Sequence, residues 1–152
     1  MVTIAEAQAK DAQAIALLLE EMDRFYGGTP NEPIELQLEQ IGSALFAAIP
    51  PANAVLAWED DALIGIASYS FLWPAAGLTQ SLYLKELYVA EAKRQQGVGK
   101  LLMEALFAVA KELGCSRVEW TTDSGNTAAQ HFYEQLGVSP HVSKIFYRAE
   151  LD

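Results

Sequence analysis

The sequence predicts a mixed α/β fold: one twisted, mostly antiparallel sheet with helices on both faces, forming a single domain over residues 1–152. Segments with a helical apolar period interleave with short runs of β-branched and aromatic residues. Two of these runs are separated by only three acidic residues, a spacing that demands antiparallel pairing. The chain has 152 residues, 51% hydrophobic and 20% charged, which is one domain's length with enough apolar material for a core.

The elements follow in order. Residues 2–5 form a short first strand. Asp11 caps a helix with Ala12, Ile15, Ala16, Leu18, Leu19 and Met22 on one face, and Gly27-Gly28-Thr29-Pro30 stops it. A second helix spans 34–48, with Ile34, Leu38, Ile41, Leu45 and Ile49 on a face, and ends at Pro50-Pro51. Residues 54–58 and 62–71 make a hairpin around Glu59-Asp60-Asp61. Residues 73–77 are loop, and 81–89 are a third strand-like run. The strongest helix spans 97–113, with Val98, Leu101, Leu102, Ala105, Leu106, Val109 and Leu113 as its stripe and Gly114 as its stop. Residues 117–122 are a strand, and 126–136 a helix between an Asn cap and Gly137. Residues 144–151 are a final strand. The order is β-α-α-β-β-β-α-β-α-β, with hairpins and crossovers combined in one sheet.

Composition narrows function. Ten basic residues against twenty acidic ones give a net charge of −10, which repels phosphate backbones and argues against nucleic acid as a partner. One cysteine and two histidines leave no disulfide framework and no multi-histidine or thiolate metal site. The first ten residues lack a basic, apolar leader, and no apolar run reaches the roughly 18–20 residues of a membrane span, so a soluble cytoplasmic chain without membrane partners is expected.

The segment from Lys85 to Lys100 is the most informative. A strand runs into a loop, two spaced glycines follow, and a helix begins. A helix start carries about four unpaired N–H groups and a partial positive charge, and anions bind there. Gly97 and Gly99 remove side chains where an anion must approach the backbone. Lys85, Lys93, Arg94 and Lys100 cluster here in a chain that is otherwise acidic. The spacing is neither a P-loop nor a dinucleotide fingerprint. On spacing alone, an anion cradle and a simple tight turn with a solvated basic rim both remain open.

Arg94-Gln95-Gln96-Gly97-Val98-Gly99 resembles the [Q/R]-x-x-G-x-[G/A] signature of the GNAT superfamily of acetyl-CoA-dependent N-acetyltransferases. Asn126 through Gly137 resembles that family's second motif, N-x-x-A-x-x-F-Y-x-x-x-G. The motif order, their separation and the order of elements agree over nearly the whole chain. Val138 stands where many members carry Phe.

The resemblance implies acetyl transfer from acetyl-CoA to a primary amine of a small cationic acceptor, by direct attack in a ternary complex. Backbone amides at Gln95, Gln96, Gly97, Val98, Gly99 and Lys100 would hold the pyrophosphate, with Arg94 beside it. The strand at Leu87, Tyr88 and Val89 would pair with the pantetheine arm. Asn126, Ala129 and Phe132 would line the arm's path, and Tyr133 would protonate the departing thiolate. A phenol of pKa about 10 is protonated at neutral pH and suits that task. A backbone N–H near Val89 would meet the charge that builds on the thioester oxygen.

Glu86 interrupts an apolar strand. Alternation puts it with Leu84 and Tyr88 on one face, where it is a base, an ammonium binder or half of an ion pair. The run 83–89 is similar to the corresponding strand of polyamine-type and related small-amine acetyltransferases. Tyr26 and Trp73 flank loops that border the acceptor pocket in the family's fold; they either pack on a cation or serve core or dimer contacts. Glu20, Glu21, Asp23 and Glu32 make the first helix and its loop acidic, which suits a cationic acceptor and is equally ordinary surface. Cys115 reads as a small apolar filler, His131 as surface and His141 as loop. The resemblance also admits a homodimer. Two alternatives remain: a protein lysine or N-terminal acetyltransferase, and a non-catalytic acyl-CoA-binding module.

Overall fold

The structure, a computed structural model, describes residues 1–29 and 32–152, so Pro30 of the expected first helix stop lies outside the described residues. The chain divides into two units, Met1–Trp120 and Thr121–Asp152.

The first unit carries the whole sheet. Strands β1 (Val2–Glu6), β2 (Asn53–Glu59), β3 (Ala62–Leu72), β4 (Ser81–Val89) and β5 (Arg117–Trp120) lie in that spatial order. The first four form an antiparallel meander, and β5 returns parallel to β4. Helices α1 (Ala12–Phe25) and α2 (Ile34–Leu45) precede the meander, and α3 (Val98–Glu112) is the crossover from β4 to β5. Leu56 pairs with Ile66, and Ala57 with Gly65, so these two pairs point to opposite faces. Leu56 and Ile66 join Ile15, Leu18 and Tyr88 in a core beneath α1. On the other face, Gly65 lets α3 approach closely: a Cβ there would meet Leu102 Cδ1 at 3.0 Å and Val98 Cγ1 at 3.2 Å. Helices therefore cover both faces, as expected.

Several boundaries differ from expectation. A 3₁₀ turn, Ala9–Asp11, precedes α1. Asp11 makes no side-chain cap to α1; its Oδ2 accepts from the Gln8 N–H at 2.8 Å, one turn earlier. α2 ends at Leu45, three residues early, and Ile49 is exposed rather than on its apolar face. The α3 stripe runs through Val98, Leu102, Met103, Leu106 and Ala110, while Leu101 and Leu113 are exposed. Leu101 and Met103 flank Leu102 on either side of the helix, and the buried face turns toward Met103. β5 stops at Trp120, two residues early.

The second unit contains one helix, α4 (Thr127–Gln135). Asn126 caps it as expected, its Oδ1 accepting from the Ala129 N–H at 3.0 Å, and Gly137 ends it with φ of +84°. The final strand expected at 144–151 is not formed. Those residues join no ladder, and Ile145, Phe146, Tyr147 and Leu151 are exposed. An alternating pattern is only half of a strand; the other half is a neighbour to bond. Among the described residues no helix is long and apolar enough to cross a membrane.

Candidate active site

The site begins with a break in the β4 ladders. Ser68 faces Glu86 while the next residue, Tyr69, faces Leu84, so Lys85 is an extra residue on β4. This bulge inverts the facing of what precedes it. Glu86 and Tyr88 share the α1 face with Ser68 and Ile66, and Leu84 turns to the α3 face with Tyr69. The expected grouping of Glu86 with Leu84 is therefore corrected: plain alternation fails across a bulge.

Beside the bulge the parallel ladder ends. β5 pairs with residues 81–84 of β4, the last pair being Leu84 with Trp120. Residues 86–89 pair only with β3 and the bulged Lys85 with neither neighbour, so from Lys85 onward the other edge is open among the described strands. Ala90 N–H donates to Ile64 O at 2.8 Å, which sets the phase of the antiparallel ladder. Tyr88 and Glu86 thus turn their peptide groups toward β3, while Leu87 and Val89 turn theirs to the open edge. An independent contact agrees: the Val89 carbonyl accepts from Arg94 Nε at 3.1 Å, away from β3.

The strand then runs through a 3₁₀ turn, Glu91–Lys93, into the start of α3. Gln95 and Gly97 are both left-handed, with φ of +61° and +84°. Leu101 N–H, bonded to Gly97 O, is the first closed amide of α3. No side chain caps the helix, so Val98, Gly99 and Lys100 present amides ahead of the ladder. A Cβ built on Gly97 would meet nothing within 4 Å. Among the described residues, the space above Gly97 is open.

The basic residues here divide by role. Lys93 pairs with Glu59, which holds that carboxyl below its usual range. Arg94 places its guanidinium carbon 4.0 Å from the Phe25 ring centroid and 5.1 Å from that of Tyr88. Lys85 and Lys100 are exposed. On the α1 side, Tyr88 OH donates to Glu21 Oε2 at 2.5 Å. Burial first, and this bond second, push the Tyr88 phenol up to about 12. Glu20 pairs with Arg24. Two of the α1 carboxylates that the sequence offered to a cationic acceptor thus already have partners within the chain.

Of the residues singled out from sequence, Glu86, Leu87, Tyr88, Val89 and the run from Arg94 to Lys100 lie along the end of β4 and the turn into α3 in the first unit, with the Tyr88 and Val98 side chains buried. Tyr26 follows Phe25 at the same end of the sheet. Trp73 does not join them. It follows Leu72, which pairs with Ser81, whereas Gly65 pairs with Val89. The length of β4, about 26 Å at the usual strand rise, separates those ends. Trp73 Nε1 donates to Leu78 O at 2.7 Å. In the second unit Asn126, Ala129, Phe132 and Tyr133 share one half-buried face of α4, and the Phe132 and Tyr133 rings are 5.3 Å apart. Glu21 and Phe25 also belong to the surroundings of the anion turn, although no sequence motif marks them there. Their signal was faint: an aromatic and an acid one turn apart at the end of α1.

The chain belongs to the acetyltransferase (GNAT) family, whose model matches residues 13–138. It is similar to L-ornithine N5-acetyltransferase NATA1 of Arabidopsis thaliana, 38% identical over 65 residues, which is 43% of this chain and 28% of that protein. It is also similar to D-amino-acid N-acetyltransferase HPA3 of Saccharomyces cerevisiae, 35% identical over 85 residues, 56% of this chain and 52% of that protein. The chain thus spans about half the length, or less, of these curated relatives. Among solved structures, the integron cassette protein VCH_CASS6 of V. cholerae superposes with a TM-score of 0.89 at 28% identity, covering 99% of this chain and 93% of that one.

The family's cofactor, acetyl-CoA, fits the residues present. Its diphosphate suits an uncapped helix start behind a glycine with open space above it. Its amide-bearing arm suits a strand edge whose peptide groups at Leu87 and Val89 face away from β3.

Proposed function

We propose that this protein is an N-acetyltransferase that uses acetyl-CoA and acetylates a primary amine of a small, cationic molecule. The observation that carries the reading is the continuity of two features in one unit. The β4 edge, open from Lys85 onward, leads directly into the open amide cradle at Gly97. Bound acetyl-CoA supplies an activated acetyl group as a thioester.

The chain's own residues do the rest. The cradle amides and Lys100 hold the diphosphate, and Leu87 and Val89 align the arm. The Val89 N–H donates to the thioester oxygen as negative charge builds there. Glu86, half-buried on the α1 face beside the bulge, attracts the acceptor's ammonium and takes its proton, so that a neutral amine attacks. Tyr133 would give its phenol proton to the departing sulfur and recover one from the nitrogen of the new amide, so the proton taken by Glu86 is the one released to solvent. Asn126 and Gly137 fix the ends of the helix that carries Tyr133. The net charge of −10 draws cationic acceptors toward the protein. The named activities of the relatives, on ornithine and on D-amino acids, support small amines as the acceptor class.

The test is a panel of amines (ornithine, lysine analogues, D-amino acids, polyamines and aminoglycosides) with acetyl-CoA, read by release of free CoA and by the mass of the acetylated product. Amine-dependent CoA release with an increase of one acetyl group is expected. CoA release that no amine accelerates, or absence of CoA binding, overturns the proposal.

A further inference from the structure

The Arg94 side chain ties the anion turn to α1. Its Nε donates to the Val89 carbonyl, and its guanidinium carbon lies over the Phe25 ring and near that of Tyr88. Those rings meet edge to face, 6.2 Å apart. Glu21, one turn before Phe25, accepts from the Tyr88 hydroxyl and, on the same oxygen, from the Glu91 N–H at 3.3 Å. The end of α1 therefore touches the chain at Tyr88, Glu91 and Arg94: the last turn of the strand, the start of the connection, and the residue just before left-handed Gln95. Between β4 and α3 the connection has no regular structure beyond one 3₁₀ turn. The contacts of α1 at Tyr88, Glu91 and Arg94 therefore add to the 3₁₀ turn and the start of α3 in fixing the direction of the cradle amides.

We propose that Glu21 and Phe25 are positioning residues for acetyl-CoA. Through Tyr88, Glu91 and Arg94 they keep the amide cradle in line with the open edge of β4. Arg94 serves this bracket rather than gripping a phosphate, which departs from the role its place in the motif implies. The inference rests on the proposed function and deepens it: affinity for the cofactor is set partly by α1, packed behind the turn.

The experiment is calorimetric titration of CoA into wild type, Phe25→Ala, Phe25→Tyr and Arg94→Lys, with KM for acetyl-CoA and kcat measured on the best amine. Phe25→Ala removes the ring under the guanidinium. It should weaken CoA about fivefold and raise KM by the same factor, with kcat within about twofold. Phe25→Tyr, which keeps a ring, should restore both. Arg94→Lys keeps the charge but loses the planar guanidinium and the bond to Val89, and should weaken CoA as much as Phe25→Ala does. The salt dependence of CoA binding should be unchanged in Phe25→Ala, since no charge leaves the site. If Phe25→Ala melts early, Phe25→Leu carries the same expectation with most of the volume kept. Wild-type CoA affinity in a cooperatively melting ring-less variant overturns the bracket. Full binding by Arg94→Lys overturns it too, since charge alone would then suffice. The proposed function fails differently: there the wild type itself binds no CoA, and the bracket falls with it.

Discussion

Gly97→Ala isolates the anion cradle, because its two costs separate. The backbone at Gly97 has φ of +84°, and an L-residue there is strained by about 1–2 kcal/mol. Alanine also lowers the entropy of the unfolded chain, which returns about 0.4–1 kcal/mol. No clash adds to this, since the new methyl meets nothing within 4 Å. The net loss is about 1 kcal/mol, or about 2–4 °C in Tm for a chain of this size. Gly114, at the other end of α3, has φ of +74° and the same empty surroundings, so Gly114→Ala should cost the same stability. Only Gly97 borders the amides that meet the diphosphate. CoA affinity measured by calorimetry should fall at least about tenfold, about 1.4 kcal/mol, in Gly97→Ala and stay at the wild-type value in Gly114→Ala. Equal CoA affinity in the two variants at matched Tm would refute the placement of the diphosphate.

Gly65→Ala should destabilise for the opposite reason. Its Cβ would press Leu102, Val98 and Ala57 at 3.0–3.3 Å, so overpacking of about 1–3 kcal/mol outweighs the entropy gain; a raised Tm would contradict the close seat of α3 on the sheet. Tyr133→Phe should lower kcat by about tenfold or more while CoA affinity stays near wild type, and unchanged turnover would remove Tyr133 as the proton donor. The Tyr88 phenol is raised in the folded state to about 12. Its contribution to stability is complete below about pH 10, the unfolded value, and is lost as pH rises through the folded value. Tm should therefore fall between about pH 10 and 12, and Tyr88→Phe should flatten the part of that fall that Tyr69, also raised by burial, does not account for. A profile identical to that of wild type would show that Tyr88 does not titrate in that window.

Much of the fold was legible because it is written locally. The run 81–89 is a strand with the expected ends, and α3 and α4 begin and end at the predicted caps. Apolar period, cap chemistry and left-handed glycines are properties of neighbouring residues, and the motif around Gly97 is too. Where a local pattern needed a distant partner, it misled. Residues 144–151 alternate like a strand but join no ladder. Leu101 has the right spacing for the core, and Met103 took the place.

The sequence by itself determined the family, the strand–glycine turn–helix element around Gly97, and the helix that leaves the turn with bare amides; the left-handed Gln95 emerged only in the structure. Tertiary structure alone decided the rest of the candidate site. The bulge at Lys85 appears only when β4 is laid against β3, and the open edge only when β5 stops at Trp120. Arg94, which the motif offers to a phosphate, meets the sequence-distant Phe25 because α1 packs over Tyr88. Backbone conformation follows from short-range sterics and capping, so a linear reading recovers it. Ladder ends and ring stacking depend on which surfaces a folded core brings together, and no local rule contains that information.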